Sequence, residues 1–252
     1  MLSSAYAVGG DMSPPYNGCF VYRGCVLMYG LRGAHIPTTE WGSETGKIGG
    51  SKMQTAKIGC VVMAAGNAAR FGKNKLAAEV NGKPLIRHAL EAVPKELFWR
   101  VAVVTQYPEI ADMAREFGFE PMQNKHPDYG ISHTIALGTQ ALSECDAILY
   151  MVSDQPLLSA SSVAHVVVAG WRTHPDCIVG AAHNGKRGNP CIFPREFYGE
   201  LLALTEDHGG NSVIRCHPDR LITVEVAQRE LTDVDTPQAL KDLQTQLDKQ
   251  TP

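Results

Sequence analysis

The stretch VVMAAGNAARFGKNKLAAEVNGKPLIRHAL, from Val61 to Leu90, decides the fold class of this 252-residue chain. Its pattern predicts an apolar strand, then a loop that carries two glycines and three positive charges, then a helix. The three charges are Arg70, Lys73 and Lys75. A basic, glycine-containing turn directly after a buried strand is typical of phosphate binding, because exposed backbone N–H groups and cations both attract phosphate oxygens.

Farther along the chain, apolar and β-rich runs alternate with helical patterns. The predicted strands are residues 57–63, 100–105, 147–153, 177–181 and 221–226. Continuous apolar strands separated by helices are typical of a mostly parallel sheet that helices cover on both faces. The sequence therefore predicts one α/β domain with a doubly wound, mostly parallel sheet. In such a sheet ligands bind outside the carboxyl ends of the strands, so the residues at those ends are the candidates for function.

Composition excludes several classes of protein. Lys and Arg number 23 against 26 Asp and Glu, so no global basic field indicates nucleic acid or a membrane surface as the main partner. The seven cysteines are scattered and lack C-x-x-C spacing, which argues against a disulfide framework and a zinc site. No apolar run approaches the roughly 20 residues of a membrane-spanning helix, and no signal peptide is recognisable. We therefore expect a cytoplasmic protein.

Residues 1–55 differ from the rest of the chain. They are rich in Gly, Ser, Thr and Pro and show no sustained helical or strand period. We predict an irregular or disordered N-terminal extension here, followed by the folded domain in residues 56–252. Met53 stands just before the first predicted strand, and we expect it to be the natural start.

The basic loop fits neither of the two common phosphate-binding motifs. Five residues separate Gly66 from Gly72, and Asn74 follows Lys73, whereas a Walker A loop has four residues between its glycines and Ser or Thr after its lysine. The G-x-G-x-x-G fingerprint of dinucleotide-binding proteins is also absent. What remains is a strand followed by A-A-G, three residues, R-F-G, two residues and Lys75.

Acidic residues follow two other predicted strands. Asp154 leaves the strand in YMVSDQPLL, and Asp233 and Asp235 follow the last strand in LTDVDTPQAL. Carboxylates at such positions suit Mg²⁺ beside phosphate oxygens. An ordinary turn at Asp154 and an ordinary helix start at Thr236 remain the alternatives.

Together these segments resemble the MobA-like nucleotidyltransferases. The first loop resembles the family signature L-x-x-G-x-x-x-R-x-G-x-x-K, and D-x-D-T-P resembles its terminal motif. Three further segments, HPDYGISHTIALG, GKRGNPCIFPREFYGEL and EDHGGNSVI, match in order, so the resemblance covers about residues 57–248. It is nearest to the molybdenum cofactor cytidylyltransferases, because the A-A-G sequence with Ala65 resembles the branch that uses CTP rather than GTP.

The resemblance implies a Rossmann-like nucleotidyltransferase fold and a Mg²⁺-dependent reaction. A phosphate on the acceptor, molybdopterin, would attack the α-phosphate of CTP and release pyrophosphate. Arg70, Lys75 and Asp154 would be catalytic, and Asp154 and Asp235 would hold the metal. The implied nucleotide-binding residues are Ala64, Ala65, Gly66, Arg70, Gly72, Lys75 and Ser132. The implied acceptor-side residues are Asn189, Pro190, Asp207 and Gly209.

Two departures from the family pattern leave the acceptor open. Asn189 stands where the family has His in its G-H-P segment, and Asn211 stands where it has Arg. Transfer to another phosphorylated small molecule, such as a sugar or polyol phosphate, is therefore an alternative. A noncatalytic carrier that delivers molybdenum cofactor to an oxidoreductase is another, although the complete set of Arg70, Lys75 and Asp154 argues against it. A molybdenum-dependent oxidoreductase is the implied protein partner.

Overall fold

The computed structural model describes residues 20–22, 25–27, 56–66 and 74–249. The chain divides into two units, Met1–Lys52 and Met53–Pro252. In the first unit, strands β1 (Phe20–Tyr22) and β2 (Cys25–Leu27) form an antiparallel pair. The other residues of the predicted N-terminal extension lie outside the described residues, so its irregular character stays a prediction.

The second unit is built on a seven-stranded sheet. Its strands and one small hairpin are β3 (Ile58–Ala64), β4 (Glu79–Val80), β5 (Lys83–Pro84), β6 (Arg100–Thr105), β7 (Glu120–Gln123), β8 (Ala147–Val152), β9 (Ile178–His183), β10 (Lys186–Pro194) and β11 (Leu221–Glu225). The sheet order is β11-β9-β10-β8-β3-β6-β7, and β4 pairs with β5 outside it. Only β10 within this sheet runs antiparallel to its neighbours.

Helices cover both faces of the sheet. They are α1 (Leu85–Glu91), α2 (Pro108–Glu116), α3 (Ile131–Ala141), α4 (Ala160–His165), α5 (Tyr198–Leu202), α6 (Gly210–Cys216) and α7 (Pro237–Asp248). A π-helical segment, Val166–Trp171, continues α4. None of the helices in the described ranges is both long and apolar enough to cross a membrane.

The core lies in two layers because side chains of a strand alternate between the faces of a sheet. In β3, Cys60 and Val62 pack with α1, α2 and α4, whereas Val61 and Met63 pack with α3, α5 and α6. Cys60, Val61 and Val62 are completely buried. Burying one aliphatic side chain of this size stabilises a fold by about 1.5–3 kcal/mol, so the strand is anchored on both faces.

The predicted α/β class and mostly parallel sheet are confirmed, and the five predicted strands correspond to β3, β6, β8, β9 and β11. Strand β7 and the β9–β10 hairpin were not predicted from the sequence. That hairpin turns at Asn184 and Gly185, whose φ angles are 48° and 76°. Two consecutive positive φ angles are typical of a tight hairpin turn, and the Asn-Gly dipeptide is its usual sequence signal.

The register of β3 and β8 brings two predicted loops together. The two strands are parallel, with Met63 opposite Val152, so the chains leave them side by side at one edge of the sheet. The Ser153 hydroxyl donates to the Met63 carbonyl at 2.7 Å, which fixes this exit. The loop after β3 and the Asp154 segment after β8 therefore begin as neighbours.

Candidate active site

One ammonium group joins two carboxylates at this edge of the sheet. Lys75 Nζ lies 2.7 Å from Asp154 Oδ2 and 3.0 Å from Asp235 Oδ1. The side chains of Lys75 and Asp154 are 18% and 19% exposed, and that of Asp235 is 55% exposed. Three residues that were predicted to act together, from three distant parts of the sequence, thus form one cluster.

The charge of Lys75 is stabilised by its partners. Burial alone would lower the pKa of Lys75, but hydrogen bonds and charges from Asp154 and Asp235 outweigh it and raise the pKa above the usual lysine value. The ammonium is therefore protonated throughout the physiological pH range. A fixed positive charge in a half-buried position can attract a phosphate much more strongly than a solvated lysine.

Local structure places Lys75 at the start of a 3₁₀ helix, Lys75–Ala77. The Asn74 side chain accepts a hydrogen bond from the Leu76 amide at 3.1 Å and donates one to Glu109 at 3.1 Å. Leu76 is buried and packs in the core. The Asn74 cap and the Leu76 anchor hold the backbone on both sides of Lys75.

Asp154 and Asp235 lie on two segments that are joined through the backbone. The Val234 amide donates to the Asp154 carbonyl at 2.9 Å, and Val234 is buried. The Thr236 hydroxyl accepts from the Ala239 amide at 3.1 Å and caps α7, so this segment does begin a helix, as the alternative reading of the sequence expected. Asp235, the residue before this cap, also contacts Lys75. The segment after β11 thus has both a structural role and a place in the cluster.

Asp233 is a third carboxylate beside this cluster. Its Oδ1 accepts from Gln155 Nε2 at 2.8 Å. Although Asp233 is exposed on one side, partial burial raises the pKa of its carboxyl group, and the charges of Asp154 and Asp235 raise it further. Folding therefore disfavours a full negative charge on Asp233.

The loop after β3 is described as far as Gly66. Ala64 ends β3, Ala65 is buried and Gly66 is exposed. Gln106 Nε2 donates to the Ala65 carbonyl at 3.0 Å, and the Tyr107 hydroxyl donates to the Gly66 carbonyl at 3.4 Å. These two contacts, which the sequence analysis missed, fix the start of the loop.

Two predicted residues of the same loop, Arg70 and Gly72, lie outside the described residues. Their assigned roles in nucleotide binding and catalysis remain predictions.

Ser132 lies in the first turn of α3 and is buried. Its amide donates to the Glu206 carbonyl at 3.1 Å, and its hydroxyl donates to the Tyr129 carbonyl at 3.4 Å. Gly130 has a φ of 82°, and a Cβ atom there would lie 2.4 Å from the Glu206 carbonyl oxygen. The segment that carries Ser132 therefore packs directly against the segment that carries Asp207.

A cavity of about 950 Å³ lies next to the cluster. Asn189, Asp207 and Gly209, three of the predicted acceptor-side residues, line it, and so do Gln155 and Asp233. Its volume is at the upper end of the range for small-molecule sites. Pro190, the fourth predicted residue, is not part of the lining; it is buried in β10 after a cis peptide bond to Asn189.

The family model of the MobA-like NTP transferase domain matches residues 60–223 of the chain. The protein belongs to this family. The predicted family resemblance is thereby confirmed, and the matched range contains Lys75, Asp154 and most of the cavity lining. Asp235 lies beyond the match, so its contact with Lys75 is an observation of the structure alone.

Curated relatives of this MobA-like protein differ in the nucleotide they use. The chain is 31% identical over 115 residues to a probable molybdenum cofactor guanylyltransferase of Pyrococcus horikoshii, with 44% of this chain and 55% of the relative covered. It is 33% identical over 108 residues to a 3-deoxy-manno-octulosonate cytidylyltransferase of Chlorobium phaeobacteroides, with coverage of 42% and 43%. The chain spans about half the length of these curated relatives.

Solved structures of similar fold cover more of the MobA-like chain. A nucleotidyl transferase from Methanothermobacter superposes with a TM-score of 0.65 at 20% identity, covering 77% of this chain and 99% of that one. A protein of Mycobacterium tuberculosis, solved in complex with manganese, gives a TM-score of 0.57 at 19% identity and covers 75% and 98%. At these identities the likeness supports the Rossmann-like nucleotidyltransferase fold.

The residues of the cluster fit a divalent cation. Among the described residues, Asp154 Oδ1 is buried without a hydrogen-bond partner, and a buried carboxylate oxygen is costly unless a donor or a cation reaches it. No group of three or more His, Cys, Asp or Glu in the described ranges is arranged to hold a metal. Two carboxylates suffice for Mg²⁺, which usually takes its other ligands from water and substrate phosphates. Asp154 and Asp235 are the residues that would hold it.

Proposed function

We propose that this protein transfers a nucleotidyl group, CMP from CTP, to the terminal phosphate of molybdopterin and releases pyrophosphate. The observation that carries the proposal is the contact of Lys75 with both Asp154 and Asp235 at the carboxyl edge of β3 and β8. A cation and two acids in one half-buried cluster suit a metal-bound polyphosphate. Membership of the MobA-like family supports the reaction class.

The reaction needs positioning and charge neutralisation more than proton transfer. An oxygen of the acceptor phosphate attacks the α-phosphorus, a new P–O–P bond forms, and the bond to the β-phosphate oxygen breaks, so pyrophosphate leaves with the electron pair. A phosphate monoester is mostly dianionic at pH 7, because its second pKa is about 6. The nucleophile therefore needs no general base, and catalysis depends on stabilising the charge.

The residues of the cluster have distinct roles in this proposal. The Ala65 and Gly66 backbone, with Arg70 and Gly72 farther along the loop, surrounds the triphosphate, and Ser132 lies on the nucleotide side. Lys75 exchanges one carboxylate partner for a phosphate oxygen. Mg²⁺ on Asp154 and Asp235 would neutralise phosphate charge when bound. In this proposal the cationic side chains of Arg70 and Lys75 face phosphate, and the carboxylates of Asp154 and Asp235 face the metal.

The cavity supports a bulky acceptor. Its volume of about 950 Å³ has room for a pterin together with its side chain and phosphate, and a smaller polyol phosphate would also fit. Gln155 and Asp233 connect its lining to the Lys75 cluster. The acceptor phosphate can therefore approach the nucleotide from this cavity.

Use of CTP rests on Ala65 in the A-A-G sequence, and a named guanylyltransferase among the relatives makes GTP the direct competitor. Pyrophosphate release should be measured with each of the four nucleoside triphosphates, with and without molybdopterin. We expect release only with CTP and molybdopterin together, and release with GTP instead would assign the other nucleotide.

One alternative has specific support. The cytidylyltransferase of Chlorobium phaeobacteroides is named for 3-deoxy-manno-octulosonate, a sugar acid. Nucleotidyl transfer to such an acceptor would give CTP-dependent pyrophosphate release that requires the sugar acid and is not stimulated by molybdopterin. The same assay with both acceptors separates the two functions.

A further inference from the structure

The cavity beside the cluster carries basic side chains that the proposed reaction does not use. Lys186 and Arg187 of β10 and Arg215 of α6 line it; Arg187 is partly buried, and the other two are exposed. Within the described ranges none of the three contacts a carboxylate. Arg100, Arg195 and Arg220, in contrast, each form an ion pair. Cations without an acidic partner that line a cavity favour an anionic ligand.

Arg187 is the best positioned of the three. Its Nη1 donates to Asn211 Oδ1 at 3.0 Å, a bond that connects β10 to α6 across the cavity wall. The backbone beside it is constrained, because the Gly188 carbonyl accepts from Cys191 Sγ at 3.3 Å and a Cβ atom on Gly188 would lie 2.9 Å from Leu231. A guanidinium whose backbone and one N–H are fixed presents its other donors in a set direction, which suits paired recognition of an anion.

The phosphate that reacts must lie in a different part of the site from Arg187. It must reach the nucleotide beside Lys75 and Asp154, and the cavity residues that belong to that region are Gln155 and Asp233. Arg187 instead pairs in the sheet with Ala182 of β9, and β10 lies between β9 and β8. Arg187 and Arg215 are therefore available to a part of the acceptor other than its reacting phosphate.

This inference rests on the proposed function and specifies one chemical feature of the acceptor. We propose that Arg187, with Lys186 and Arg215, binds a second anionic group of the acceptor, distinct from the phosphate that reacts. Molybdopterin has such a group, because its dithiolene sulfurs ionise. A polyol phosphate without a second anion lacks it, so Arg187 is a specificity-determining residue that separates these acceptor classes.

The test uses pterin and pterin-6-carboxylate, two fluorescent probes that differ by one anionic group and carry no phosphate. Equilibrium titration of the full chain should show that the carboxylate binds about 10-fold or more tightly than pterin, the usual effect of charge-assisted hydrogen bonds. Arg187→Gln should remove that preference. Lys241→Gln on α7, which removes one positive charge outside the cavity lining, should keep it.

Circular dichroism should verify the fold of Arg187→Gln, and Arg215→Gln on the exposed side of α6 provides an independent variant that should weaken the same preference. Equal binding of the two probes to the unaltered protein, no binding of either, or a preference that survives in Arg187→Gln would each overturn the second anion site. Failure of the proposed function would give a different result. The unaltered protein would bind pterin-6-carboxylate more tightly than pterin but would release no pyrophosphate with molybdopterin and any of the four nucleotides.

Discussion

Lys75 and Asp154 are 79 positions apart in the sequence, yet Lys75 Nζ lies 2.7 Å from Asp154 Oδ2. Parallel β3 and β8 lie side by side, so the loop after one strand meets the turn after the other. Asp235 joins them from a third segment.

Lys75→Ala should lower kcat/KM for the nucleotide by about 10²-fold or more, because a preorganised cation beside the phosphates is lost. It should also lower the free energy of unfolding by about 1–3 kcal/mol, since Asp154 loses a charged hydrogen-bond partner. Steady-state kinetics and urea unfolding measure the two effects. Lys83→Ala, which removes the surface ion pair with Glu91, is the matched control and should change neither quantity appreciably. Full activity in Lys75→Ala would contradict the role of Lys75.

Asp154→Ala should abolish turnover and weaken binding of Mn²⁺, a spectroscopic substitute for Mg²⁺, because the buried Oδ1 and the Lys75 partner Oδ2 are both removed. Metal binding is followed by electron paramagnetic resonance of free Mn²⁺, and removal of the metal with a chelator should abolish turnover of the unaltered protein. Asp242→Ala on α7 serves as the control. Unchanged Mn²⁺ affinity in Asp154→Ala would reject this residue as a ligand.

Asp233→Asn should raise Tm near pH 7. The pKa of Asp233 is raised on folding above its ordinary value of 3.8, so the folded state binds the proton more readily than the unfolded state. Between these two pKa values the stability contributed by this group falls as pH rises. At neutral pH the ionised carboxylate therefore lowers the free energy of unfolding. Asparagine removes the charge but keeps an oxygen that can accept from Gln155.

The gain in Tm should shrink as pH falls and should vanish below the unfolded pKa, where Asp233 is protonated in both states. Calorimetry across this pH range checks the trend. Asp128→Asn is a control at an exposed carboxylate, and its effect on Tm should be small. A lower Tm for Asp233→Asn at neutral pH would show that the charge stabilises the fold.

Gly130→Ala should destabilise the protein by about 1–3 kcal/mol, because alanine at a φ of 82° is strained and its Cβ would lie 2.4 Å from the Glu206 carbonyl oxygen. KM should increase for both nucleotide and acceptor, because a side chain at position 130 would push the segment of Ser132 away from the segment of Asp207. Gly199→Ala in α5 is the matched control. A Cβ atom there meets nothing within 4 Å, and alanine in a helix should stabilise by about 0.5–1 kcal/mol.

The sequence predicts the parts of this protein that depend on local pattern. Apolar runs identify five strands, and the ends of β3 and β8 identify Lys75 and Asp154. The β9–β10 hairpin carries a recognisable signal, Asn184-Gly185, which a search for turn dipeptides would have found. The antiparallel direction of β10 follows from that tight turn.

Other features depend on contacts between distant residues and leave no local pattern. Gln106 reaches the Ala65 carbonyl only because β6 pairs with β3. Arg187 belongs to a quoted motif, but its importance becomes visible only when α6 brings Asn211 to it. Asp233 and Asp235 are equally acidic in sequence, and only packing decides that one contacts Gln155 and the other Lys75.

The hydrogen bond from the Ser132 amide to the Glu206 carbonyl makes that single proton a reporter for both sides of the site. Its exchange with deuterium requires the two segments to part, so a slower exchange rate after addition of either substrate would register closure without a chemical tag on the protein. An assignment of one nuclear resonance would thus be enough to follow how filling one half of the site is communicated to the other.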